Sequence, residues 1–327
     1  MKIGKVPTDF LREKIIGNVK NIRKEVLVGA GIGEDCAVVD LENQLCVIST
    51  DPITGAVTDI GSLAIHIACN DIASNGAEPI GVMLTVLAPS KTTEIELEKM
   101  MQDAVKTAES LSVQIMGGHT EITDTVNQTI ISTVAIGRQH REKLIKTGGA
   151  KAGDIVVMTK YAGLEGTAIL AHDKEEELSC YLNKNLLDEA KELKHQISVV
   201  PEGLLAGELG VSAMHDATEG GVMGALWELA EASQLGLEVE QSNIPVLEST
   251  KAICHYFEID AYRLISSGVM IMTIHPEKLN NLIETLRTQK IHTTVIGKMI
   301  EKERRILVEG KTLTLKEPEA DELYRVL

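Results

Sequence analysis

Aromatic residues make up only 2% of this 327-residue chain, with one Trp, two Phe and five Tyr. That leaves few flat faces on which bases could stack, and a net charge of −16 leaves little Lys and Arg surplus to neutralise a phosphate backbone. A nucleic-acid partner is therefore excluded on two independent grounds. The five cysteines (Cys36, Cys46, Cys69, Cys180 and Cys254) are odd in number, scattered, and include no C-x-x-C pair. They read as small core residues in a reducing compartment, not as a disulfide framework or a zinc site. No apolar run approaches the ~20 residues needed to span a bilayer. The start, Met1-Lys2-Ile3-Gly4-Lys5-Val6-Pro7, has no apolar stretch of the kind that directs secretion. A soluble, cytoplasmic protein with no membrane partner is expected. Also missing are a G-x-x-x-x-G-K-[ST] loop, a G-x-S-x-G elbow and an H-E-x-x-H zinc motif.

Core material is ample: 44% of residues are hydrophobic and 24% charged, enough for two ordinary domains. Strand-like and helix-like runs alternate throughout. Leu45 to Ser49, Ile80 to Leu87, Gln114 to Met116 and Thr129 to Ile136 read as strands. Residues 61–75 carry Leu63, Ala64, Ile67, Ala68 and Ile72 on one helical stripe, with Asn75-Gly76 as the stop. Thr93-x-x-Glu96 forms a capping box for a helix reaching about Leu111. Lys146 to Asp154, rich in glycine and charge, is the natural boundary between halves. Beyond it, Ile155 to Thr159 and Val211 to His215 read as strands, followed by a long helix from about Glu219 to Ser233.

The richest local signal is Gly29-Ala30-Gly31-Ile32-Gly33-Glu34-Asp35. Closely spaced glycines let backbone N–H groups approach a phosphate, but a carboxylate placed directly after them repels one. A divalent cation between the two removes the conflict. The rival reading is a dinucleotide-binding βαβ turn with Asp51 as the ribose contact. Its fingerprint needs Gly or Ala three residues after Gly31, where Glu34 stands, and a helix where Cys36-Ala37-Val38-Val39 reads as a strand.

Asp35 and Asp51 taken singly are ordinary acids at strand ends. Asp71 is less ordinary, lying mid-helix among Ile67, Ala68 and Ile72, where it cannot cap and where burial is costly. Three carboxylates ~6 Å apart repel by roughly 3 kcal/mol per pair at an effective dielectric of ~20, which Mg²⁺ would offset. Two further segments pass from strand to double glycine: Met116-Gly117-Gly118-His119-Thr120-Glu121 and His215-Asp216-Ala217-Thr218-Glu219-Gly220-Gly221. Each is either a tight turn or a set of backbone donors facing an anion.

Taken in order, Gly33-Glu34-Asp35-Cys36-Ala37-Val38, Ser49-Thr50-Asp51, Asn70 to Gly76, Gly117 to Glu121 and His215 to Gly221 resemble the aminoimidazole ribonucleotide synthetase (PurM-like) superfamily. This group includes thiamine-monophosphate kinase, selenophosphate synthetase and the hydrogenase maturation protein HypE. The overall pattern and Trp227 to Ser233 are most similar to the HypE group. The resemblance implies an α+β fold of two domains. Residues 1–148 would form a β-sheet domain that binds ATP and Mg²⁺ and dimerises through its sheet into a β-barrel; residues 149–327 would form an α/β sandwich. By position, Asp35, Asp51 and Asp71 match metal ligands. Gly33, Asp35, Thr50, Asp51, Asn70, Gly117, Gly118, Asp216 and Gly220 match the nucleotide-binding positions, and Asp71, His119 and Glu121 are the catalytic candidates. The implied chemistry is ATP-driven activation of an amide or carbamoyl oxygen, in a homodimer that meets a further maturation-factor protein. A small-molecule kinase of the thiamine-monophosphate type and a nucleotide-binding regulator without turnover are the alternatives.

Two departures bear on substrate. HypE-type proteins present a C-terminal cysteine that carries the carbamoyl group, whereas this sequence ends Glu322-Leu323-Tyr324-Arg325-Val326-Leu327 with no cysteine after Cys254. Truncation and a paralogue acting on a free small molecule both fit that tail. The second departure is His119, where HypE and the thiamine kinase usually have Asp.

Overall fold

A computed structural model describes residues 8–16, 23–42, 44–54 and 59–327. The Met1–Pro7 segment read above lies outside the described residues. Two separate sheets follow one another along the chain. The first has six strands, β1 (Val26–Val28), β2 (Ala37–Asp40), β3 (Leu45–Ile53), β4 (Glu78–Ala88), β5 (Gln114–Ile122) and β6 (Ile130–Gln139), in the order β1-β2-β3-β6-β4-β5. Only β4 and β5 pair in parallel. A parallel pair needs a crossover, and the helix Glu94–Ser110 supplies it, with Thr93 and Glu96 closing the expected capping box.

Alternation along β3 and β6 sorts side chains between two faces. Leu45, Val47, Ser49, Ile131, Thr133 and Ala135 point inward and are buried. The helix Ile60–Ser74 lies over this inward face, its aliphatic residues joining Val47, Val82 and Ala135 in one core. The outward face is open, exposing Ile80, Met83, Met116 and Ile122.

Strand β5 departs from expectation. The double glycine is not a turn: the chain stays extended through Ile122. Pairing with β4 slips between Val82 and Met83, which leaves Met116 as a bulge. A Cβ on Gly118, whose φ is +152°, would stand 1.9 Å from the Leu84 carbonyl oxygen. Glycine here permits close strand pairing.

The second sheet comprises β7 (Ile155–Thr159), β8 (Ala213–Ala217), β9 (Gly236–Glu240), β10 (Val269–Ile274), β11 (Thr293–Ile300), β12 (Arg304–Val308) and β13 (Lys311–Thr314), in the order β13-β12-β9-β11-β7-β10-β8. Its central strands are apolar on both faces, as a sheet covered on both sides requires. Val156, Met158 and Ile271 pack with the helix Gly221–Ala232, whereas Val157, Met270 and Met272 pack with the helix Leu279–Thr288. The strand expected at Val211 to His215 is β8, two residues later. Its pairing with β10 sets Asp216 opposite Met270 inside the sheet.

The two halves close against each other through glycine contacts and one amide. Gly203, on the helix Val200–Leu209, approaches the Ala73 backbone so closely that a Cβ would lie 2.2 Å from its oxygen. Asn70, fully buried, donates Nδ2–H to the Ile197 oxygen and accepts the Val199 N–H through Oδ1, each at 2.8 Å. Near the same seam Lys160 donates to the Ser198 and Gly268 oxygens at 2.6 and 2.9 Å and pairs with Glu202 at 2.6 Å. No described helix is long and apolar enough to cross a membrane.

Candidate functional site

Four acids from four elements converge at the seam. Asp35 ends the glycine segment, which rests on the second half: a Cβ on Gly33 (φ +76°) would lie 3.0 Å from the Glu228 carbonyl oxygen. Asp51 shares the inward face of β3 with Ser49, whose hydroxyl donates to the Asp71 carboxylate. Asp71 projects from the buried side of its helix and is hydrogen-bonded to Asp51. Asp216 arrives from β8. Ser74 Oγ donates to Asp35 Oδ2 at 2.9 Å and lies 2.7 Å from the Asp71 backbone oxygen; Cys36 Sγ donates to that same oxygen at 3.1 Å. Asp35, His215 and Asp216 each offer a ligand atom within 4.8 Å of the others.

The electrostatics follow from this crowding. Burial, then the charges of Asp216 and Asp51, push the Asp71 carboxyl well above the carboxylate range. Burial and then Asp35 push Asp216 up to about 8. Glu34 is raised by burial and Asp35, with Lys146 and His215 opposing. Burial, reinforced by Asp71, drives the Cys36 thiol well up, so it is a packing residue and not a nucleophile. Burial by itself would lower His215, but Asp35 and Glu228 outweigh it and hold the ring well above its usual range. Without a cation the cluster therefore holds protons that a cation would displace. Both oxygens of Asp216 are buried with no hydrogen-bond donor. Orphaned carboxylate oxygens among further carboxylates suit a hard, oxygen-seeking divalent ion such as Mg²⁺.

The remaining candidates lie elsewhere. Thr50 is exposed and projects from the face of β3 opposite Asp51. His119 and Glu121 lie 3.4 Å apart with side chains 66% and 53% exposed, paired with Thr85 and Leu87 beside the outward face. Gly117 and Gly118 belong to that same edge strand. Asn70 is the clamp between the halves. The N–H of Gly220 is taken by the Asp321 carboxylate at 2.6 Å. The residues missed from sequence are Ser49, Ser74, His215 and Glu228. A signal existed for Ser74, which stands one helical turn after Asp71 in an otherwise apolar stretch.

Two family models match the chain, AIR synthase related protein, N-terminal domain, over residues 33–139, and AIR synthase related protein, C-terminal domain, over residues 151–309. The chain belongs to the AIR synthase related family. Among its relatives, a putative hydrogenase expression/formation protein of Methanocaldococcus jannaschii is 26% identical over 316 residues, covering 94% of this chain and 91% of the relative. The carbamoyl dehydratase HypE of Escherichia coli is 26% identical over 286 residues, covering 84% of this chain and 81% of the relative. A solved structure of the hydrogenase maturation protein HypE in complex with ATP superposes with a TM-score of 0.73 at 22% identity, over 97% of this chain and 94% of that one. That likeness establishes the shared fold.

Asp321 also marks a pH-dependent element outside the acid cluster. It is 1% exposed and accepts N–H groups from Gly220, Ile265 and Leu323. Beside it Glu165 is buried, and that burial pushes its carboxyl to about 7. A carboxyl whose folded value exceeds its unfolded value of 4.5 stabilises the fold below that value and loses the contribution as pH rises toward 7. Glu165→Gln is thus expected to leave thermal unfolding unchanged at pH 5. At pH 8 it should stabilise by up to about 3 kcal/mol, read from paired denaturation curves.

Proposed function

We propose that the protein is an ATP-dependent enzyme of HypE type, acting in hydrogenase maturation by activating an amide or carbamoyl oxygen for dehydration. The observation that carries the reading is the convergence of Asp35, Asp51, Asp71 and Asp216, with both Asp216 oxygens buried and unsatisfied, in a family whose relatives include carbamoyl dehydratases. Mg²⁺ held by these acids would neutralise the nucleotide phosphates and draw charge from the transferred phosphoryl group. The chain's own contribution is placement. Ser49 orients Asp71, Ser74 orients Asp35, and the closed seam keeps the acids where water screens them least. Phosphorylation of the carbamoyl oxygen turns it into a phosphate leaving group, so loss of water is completed as loss of phosphate.

The proposal extends to organisation. Residues 1–148 form the ATP- and Mg²⁺-binding, dimerising domain and residues 149–327 the second domain, a division supported by the two independent sheets. Pairing of two six-stranded sheets into a barrel is supported by the open face bearing Ile80 and Met83 and by the exposed edge strand β5 with Met116 and Ile122. His119, Glu121, Gly117, Gly118 and Thr50 join a nucleotide site only in such an assembly, since one chain keeps them apart from the acids. A maturation-factor partner is expected from the HypE likeness, and a reducing cytoplasmic setting fits the five free cysteines.

Calorimetric titration with ATP, with and without Mg²⁺, combined with phosphate assay, tests the reading. Mg²⁺-dependent binding with slow hydrolysis, accelerated by a carbamoyl donor, is the expected result. Release of phosphate alone marks the dehydratase, and a phosphorylated acceptor marks a small-molecule kinase. Absence of binding in both conditions would sink the assignment.

A further inference from the structure

We propose that His215 and Glu228 form a positioning pair that grips Asp35 from the second half of the chain and fixes its carboxylate for cation binding. This rests on the cation site proposed above. His215 Nδ1 stands 2.9 Å from the Asp35 carboxylate and Nε2 stands 3.0 Å from Glu228 Oε2. The three side chains are 5%, 10% and 12% exposed, so water does not dilute the contacts. Each ring nitrogen is thus engaged by a carboxylate, one on either side. That placement makes the ring an anchor for Asp35.

Asp35 needs an anchor. It follows Gly29, Gly31 and Gly33, a segment of high backbone freedom, and it faces the carboxylates of Asp216, Asp71 and Asp51. Repulsion would turn it away in the absence of a cation. Ser74 restrains it from its own half, and His215 is the cationic partner from the other. Glu228 in turn sets the ring's orientation, as carboxylates behind metal-site histidines do elsewhere. Because Asp35 lies in one half and the pair in the other, closure of the seam and order at the cation site are one event.

The test is titration of the full-length, metal-free protein with Mn²⁺, followed by EPR, for wild type, His215→Leu, His215→Asn and Glu228→Gln, with melting temperatures recorded in parallel. His215→Leu is expected to weaken Mn²⁺ by roughly 10–100-fold, the range typical of residues that orient ligands. His215→Asn places an amide N–H near the former Nδ1 and should recover most of the affinity, which loss of packing alone would not allow. Glu228→Gln should weaken binding by about 3–10-fold, and it carries the test if His215→Leu does not fold. Unchanged affinity in Glu228→Gln, together with unchanged affinity in His215→Leu where that variant folds, overturns the proposal. So does a nitrogen coupling in the pulsed EPR of Mn²⁺ bound to wild type, which would make His215 a ligand. If wild type itself binds no Mn²⁺, the cation reading falls and the pair falls with it; if wild type binds and the variants bind as tightly, the cation reading stands and the pair falls.

Discussion

Replacing Asp216 with asparagine is expected to abolish Mg²⁺-dependent ATP turnover while making the metal-free protein more stable at alkaline pH. Turnover should fall by at least about 100-fold, because on the proposed reading an acid that would hold the cation is removed at a buried point of the cluster. Stability moves the other way. Among the described residues neither Asp216 oxygen has a side-chain or backbone partner at hydrogen-bond distance, and burial with the charge of Asp35 outweighs the relief that His215 gives its ionised form. Its folded value of about 8 exceeds its unfolded value of 3.8, so its stabilising contribution is complete below the unfolded value and is lost as pH rises through 8. Asparagine keeps the shape and does not ionise. The variant should therefore gain a few kcal/mol over wild type at pH 9 and nothing at pH 4, measured by denaturant unfolding with chelator present. Saturating Mg²⁺ should shrink the difference by stabilising wild type alone. Loss of both activity and alkaline stability would instead make Asp216 a structural acid.

Asn70→Ala is the second large effect, and it falls on stability. Truncation removes the partner that the Asn70 amide gives, at 2.8 Å each, to the Ile197 carbonyl and the Val199 N–H across the seam. Each buried group left unpaired costs about 1–3 kcal/mol, so a loss of roughly 3 kcal/mol is expected. For a chain of this size that lowers the melting temperature by about 4 °C. Asn70→Asp should do no better, since a carboxylate serves the Val199 N–H but faces the Ile197 oxygen with no proton to give. A melting temperature within about 1 °C of wild type, less than one lost hydrogen bond produces, would show that the halves are held by packing alone.

Much of the site was legible because it breaks local rules. Acids directly after a glycine cluster, and an acid in the middle of an aliphatic helical stripe, are costly unless something compensates, and Asp35 and Asp71 do meet. Asp216 was reachable only through the ordered set of motifs, since from sequence alone it sits at the end of a strand beside a turn. His215 and Glu228 lay inside quoted motifs, but nothing in the sequence joined them to Asp35, because the pairing across the seam depends on how the glycine segment docks against a distant helix. Strand β5 misled for a related reason. Two adjacent glycines suggest a turn, whereas here the neighbouring strand passes so near that only glycine fits beside Leu84. Asn70 entered the nucleotide set only through the resemblance, and its bonds across the seam to Ile197 and Val199 had no signature in the sequence.

The order in which the acids occur along the chain has a consequence for synthesis. Asp35, Asp51 and Asp71 emerge from the ribosome early, whereas His215, Asp216 and Glu228 come from β8 and the helix that follows it. A nascent or prematurely terminated product ending before β8 therefore carries three neighbouring acids without Asp216 and without the His215 contact to Asp35. Such a fragment is poorly equipped to consume nucleotide. Splitting the proposed site between early and late segments means that a chain must be synthesised past β8 before the cluster can assemble.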